Sequence, residues 1–121
     1  MSGKLLFLII SGPSEINKVR WGLRMALNTF THPYGDKLID EVRVLLFCDG
    51  VKLVDSSNKC YSEVKQRLDD LLRVGIEVVS CVSIAEPLGL VDETESLGVK
   101  CVHASAYVAQ SVSEGFSTLT F

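Results

Sequence analysis

A chain of 121 residues suits one domain with one core, and at this length enough surface is buried on folding to need no covalent staples. Apolar residues make up 47% and charged residues 22%, a balance that excludes a disordered chain. Twelve Lys and Arg stand against fifteen Asp and Glu with no basic block, which excludes a surface built to neutralise nucleic-acid phosphates.

In chain order, residues 4–10 form an apolar run of the kind a strand shows when both of its faces are covered. The run is too short to span a bilayer or to form a signal-peptide core, so a soluble, cytoplasmic protein is expected. Ser11-Gly12-Pro13-Ser14 breaks it, with Ser14 expected as the N-cap of the helix that follows. In that helix Ile16, Val19, Leu23, Ala26 and Leu27 recur on one face, until residues 31–35 end it. Residues 42–47 are a second buried run, closed by a turn at Cys48-Asp49-Gly50. Residues 60–74 place Val64, Leu68, Leu71 and Leu72 at helical spacing, with Gly75 as the stop. Residues 76–81 read as a third strand, and residues 82–86 allow one helical turn before Pro87. Asp92 and Glu95 have the spacing of a capping box. A short strand at 99–102, a helix at 104–113 and a last strand at 116–121 complete the chain. This alternation predicts a single α/β domain over residues 1–121: a three-layer α/β/α sandwich around a mostly parallel five-stranded sheet of flavodoxin-like appearance.

Ligands of open α/β sheets bind beyond the carboxyl ends of the strands. The candidate residues there are Ser11 and Gly12, then Cys48, Asp49 and Gly50, then Cys81, then Cys101 and His103. Cys81 is the strongest, because a thiol at a strand-to-helix junction meets free backbone N–H groups that favour its anion. The plainer account is a buried strand-end thiol. Cys48 is expected to pack in the core at its strand end, Cys101 to be core, and Cys60 to start a helix. His103 is a candidate proton carrier beside a thiolate. Ser11-Gly12 lacks the glycine spacing of a nucleotide loop, and a turn accounts for it. No two of the four cysteines form a C-x-x-C pair, and Cys101-x-His103 supplies too few ligands for a metal, so four free thiols, no metal and no cofactor are expected.

Four features together are similar to the DsrE/DsrF-like family, which includes the TusD-type sulfur-relay proteins. They are the strand at residues 5–10 before a long helix, residues 44–47 running into Asp49-Gly50-Val51, residues 78–82 around Cys81 with Gly89 eight positions on, and the helix and closing strand over residues 102–121. The resemblance covers nearly the whole chain. It implies that Cys81 accepts sulfane sulfur as a persulfide and passes it to a partner. It also implies sulfur donor and acceptor proteins and an oligomer, either a homo-oligomeric trimer or hexamer or a mixed family complex. Glu86 and Pro87 depart from the family, standing where relatives often carry basic or aliphatic residues. The chain shows no evident resolving cysteine, which favours a carrier over an enzyme that closes its own disulfide. Two other classes stay open: a flavodoxin-like module binding a small ligand or nucleotide, and a non-catalytic structural subunit of an assembly.

Overall fold

Strands buried on both faces need helices on both sides, and the chain supplies them unevenly. In a computed structural model, which describes residues 3–121, the strands are β1 (Gly3–Ile9), β2 (Ile39–Leu46), β3 (Glu77–Cys81), β4 (Lys100–Val102) and β5 (Ser117–Thr120). All pair in parallel, in the order β4-β3-β2-β1-β5. The helices are α1 (Ile16–Thr31), α2 (Tyr61–Arg73), α3 (Val82–Ala85), α4 (Val91–Ser96) and α5 (Ala104–Ser113). The first four strands step across the sheet in one direction. Right-handed crossovers therefore put α1 to α4 on one face, and the return from β4 to β5 carries α5 over the other.

The strand residues divide between these faces with period two. Phe7, Ile9, Val44, Leu46 and Val78 join Val19 and Leu23 of α1 and Val64, Leu68 and Leu71 of α2 in the main core. Leu6, Leu45 and Val79 join Phe116 in a smaller core, against which Ala104, Tyr107 and Val108 of α5 pack. Helix α5 is held by polar pins at its carboxyl end and at Tyr107. The Arg43 guanidinium lies 4.2 Å from the Phe116 ring centroid, donates to Ser111 Oγ at 2.9 Å and pairs with Glu114 at 2.8 Å. Tyr107 Oη donates to Glu77 Oε1, and burial together with that bond pushes the phenol pKa well above its usual value.

Three local expectations are corrected. Ser14 does not cap α1; Pro13–Glu15 form a 3-10 turn leading into the helix, and no side chain bonds the first-turn N–H groups. Asp92 lies inside α4, which starts at Val91 after Leu90 without a side-chain cap. Cys48 is exposed rather than packed, because the chain turns there into a 3-10 segment with φ of 53°. His32, in left-handed conformation, ends α1, and Gly75 follows α2 with φ of 95°, a value that suits glycine.

Candidate functional site

With only α5 over one face of a five-stranded sheet, the carboxyl end of that face stays partly uncovered. A cavity of about 580 Å³ opens there. Its floor is Leu8 of β1, Leu45 of β2, Phe47 just past β2 and Cys81 of β3, and its wall is Ala104, Val108 and Ala109 of α5. Ser83, His103 and Ser105 complete the lining, and no lining residue carries a carboxylate, ammonium or guanidinium group.

Cys81 ends β3 and occupies the cap position of α3, and His103 holds the same position on α5; neither helix start has a side-chain cap. Register explains why the two share one cavity. Cys81 pairs with Val102 across the β3–β4 ladder, so His103 is one residue past its partner. The Cys81 side chain is 3% exposed and also touches the main core, so solvent reaches its sulfur only through the cavity. Cys101 pairs with Ser80 and packs on the main core, the opposite face of the sheet. Burial, with Glu95 adding, pushes the Cys101 thiol pKa up.

The remaining candidates gather beside the β1 and β2 ends and do not line the cavity. Ser11 and Gly12 are buried, and a Cβ at Gly12 would stand 2.7 Å from the Asp49 carbonyl oxygen. Gly50 is tighter still, with a Cβ placed 2.0 Å from the Ile9 carbonyl oxygen. These two glycines let the loops after β1 and β2 press together. Among the described residues no group of His, Cys, Asp and Glu converges to hold a metal ion. Of the lining residues, reading the sequence singled out only Cys81 and His103; it missed the apolar floor of Leu8, Leu45 and Phe47 and the residues from Ser83 and α5. The alternation along β1 and β2 was the available signal, since it puts Leu8, Leu45 and Phe47 on one face once α5 is assigned to it.

The fold is similar to two solved structures. A conserved protein of unknown function from Bacteroides thetaiotaomicron superposes with a TM-score of 0.77 at 18% identity, over 98% of this chain and 94% of that one. The ychN protein from E. coli superposes with a TM-score of 0.70 at 18% identity, over the full length of both. A comparison with curated proteins finds no match. The model of the DsrE/DsrF-like family matches residues 3–121, and the chain therefore belongs to the DsrE/DsrF-like family.

Proposed function

We propose that this protein is a sulfur carrier of sulfurtransferase type that holds sulfane sulfur as a persulfide on Cys81 and hands it to a partner. The observation that carries the reading is the position of Cys81 on the floor of the cavity, between the starts of α3 and α5. Its thiolate attacks the outer sulfur of a persulfide donor, R–S–SH. The donor leaves as the thiolate RS⁻, and the transferred atom stays as Cys81–S–SH. An acceptor nucleophile then attacks that outer sulfur, and Cys81 departs as thiolate. The uncapped first-turn N–H groups at both helix starts favour negative charge on the transferred sulfur, and His103 is placed to move a proton at the rim. The apolar walls keep water from the persulfide. With no fixed positive charge in the lining, the site suits a persulfide delivered by a protein better than a small free anion.

Donor and acceptor proteins follow from this chemistry. The thinly covered α5 face suits assembly, and a homo-oligomeric trimer or hexamer, or a mixed family complex, is part of the proposal. A cytoplasmic location is part of it too; among the described residues no helix is long and apolar enough to cross a membrane.

The test is incubation with a persulfide donor followed by mass spectrometry of the peptides. The peptide holding Cys81 gains one sulfur in the parent and none in Cys81→Ser. Equal gain of sulfane sulfur on cysteine by parent and variant overturns the assignment. The cavity volume also suits a small apolar ligand, which supports the binding-module reading second. In that case a ligand copurifies and Cys81→Ser retains it.

A further inference from the structure

Cys48 and Cys81 stand 33 positions apart in the sequence, and the sheet makes them neighbours. Strands β2 and β3 pair with Leu45 against Val79 and Leu46 against Ser80. One further step sets Phe47 opposite Cys81, with Cys48 next. Phe47 is still extended, with φ −139° and ψ 159°, so the Cα of Cys48 continues the strand direction. Strands about 4.8 Å apart and a rise of about 3.3 Å per residue then put the two cysteine Cα atoms roughly 6 Å apart, inside the range of about 4.4–6.8 Å that a disulfide spans.

Direction matters as much as distance. Regular alternation points residue 48 to the face of α1 and α2, away from Cys81. Its φ is 53°, and relative to a strand value near −120° this turns Cβ by roughly 170° about the N–Cα bond, toward the face that Phe47 and Cys81 share. A non-glycine residue with positive φ is uncommon, and here the Cys48 thiol is exposed just past the end of β2, next to Phe47 of the cavity lining. Cys101 is the competing neighbour: it lies one register step from Cys81 and both touch the main core, but it pairs with Ser80, whose side chain alternates to the face away from the cavity.

We propose that Cys48 is the resolving cysteine for a persulfide on Cys81: when no acceptor is docked, it displaces the stored sulfur as hydrosulfide and closes a Cys48–Cys81 disulfide. The inference rests on the persulfide reading of Cys81. The Cys48 thiolate attacks the Cys81 Sγ, the inner sulfur. The Cys48–Cys81 S–S bond forms as the bond from Cys81 Sγ to the outer sulfur breaks. The outer sulfur leaves as HS⁻ and takes up the proton that Cys48 gave up. That sulfur is reduced to sulfide while two thiols become a disulfide, so the step needs no external oxidant. A low-molecular-weight thiol reductant returns the pair to two thiols. Delivery to a partner and discharge as sulfide then compete for one intermediate, and an unpartnered carrier empties itself.

The test loads the parent, Cys48→Ser and Cys101→Ser with inorganic polysulfide, removes the excess, and follows sulfide release and non-reducing peptide maps. The parent releases about one sulfide per loaded Cys81 and links the peptides of residues 48 and 81, while Cys48→Ser keeps the added sulfur with release slowed at least ~10-fold. Cys101→Ser behaves as the parent. A brief pulse of bulky maleimide on the exposed Cys48 of the parent before loading gives the same persistence without any substitution. Release from Cys48→Ser at the parental rate, or a link from Cys81 to Cys101 or to a second chain, overturns the inference. A protein that loads Cys81 and then holds its sulfur overturns this inference alone. One that gains sulfur on Cys81 neither from polysulfide nor from a protein-bound persulfide overturns the persulfide reading and this step with it.

Discussion

At β3, Ser80 is fully buried and its Oγ has no hydrogen-bond partner among the described groups. A buried hydroxyl without a partner forfeits its hydration and gains nothing in return. Ser80→Ala is therefore expected to leave stability unchanged or raise it by about 1 kcal/mol, read as the urea midpoint. Because Ser80 pairs with Leu46 and Cys101 on the face away from the cavity, the same variant should load sulfur on Cys81 as the parent does. Gly50 behaves in the opposite way. No side chain fits 2.0 Å from the Ile9 carbonyl, and the obstacle is backbone, which cannot swing aside. Gly50→Ala should cost about 3 kcal/mol or more by the same measurement, because the loops after β1 and β2 must part to admit a methyl group. A destabilisation under about 0.5 kcal/mol would mean that the two loops are not pressed together as described.

Between elements, charge does what apolar packing leaves undone. Arg20 of α1 bonds Glu63 of α2 through two guanidinium nitrogens, at 2.6 and 2.8 Å, and Arg67 adds a third bond at 2.9 Å. These partners, Arg20 first, hold the Glu63 carboxyl pKa down to about 2 against an ordinary 4.5. The folded value is the lower one, so the stabilisation is fully present above pH 4.5 and is lost as pH falls from about 4.5 to about 2. Both side chains are about one-third exposed, and screening reduces the effect. Glu63→Gln should therefore cost about 1 kcal/mol at neutral pH, with the gap from the parent shrinking toward about pH 3 and in high salt. Urea midpoints across that range check it, and a gap that widens on acidification would contradict it. Elements at this scale were the most legible part of the sequence. Parallel strands covered on both faces read as unbroken apolar runs, and residues 104–113 were expected as a helix with the same bounds that α5 has. The helix starts were less legible, since Ser14 and Asp92 have capping chemistry but sit inside their turns.

Across the whole molecule, strand order decides what the site is, and strand order is long-range information that no local pattern carries. The strand-end rule singled out Cys81 and His103 singly. Only the sequence of neighbours β4-β3-β2 makes them share a cavity and sets the ends of β2 and β3 side by side. The same topology leaves α5 alone over its face, and this sets how Cys81 is reached. The cysteine is almost fully buried, so a donor larger than the cavity mouth needs α5 to lift, against the hold of Arg43 on Ser111, Glu114 and the Tyr107 ring and of Glu77 on the Tyr107 hydroxyl. Loosening that anchor should expose the thiol. In Arg43→Ala the bond to Ser111, the pair with Glu114 and the stacking on Phe116 are all lost, which should cost about 2 kcal/mol and speed amide exchange through residues 104–113. Pulsed alkylation of the parent with a bulky maleimide should label the exposed Cys48 first and Cys81 slowly, while a small reagent such as iodoacetamide narrows that difference by entering the cavity. In Arg43→Ala the maleimide should label Cys81 several-fold faster and leave Cys101, under the other face, at its parental rate. Parallel acceleration of Cys81 and Cys101 would mean that the sheet opens as a unit, and α5 would then not be what stands between Cys81 and its donor.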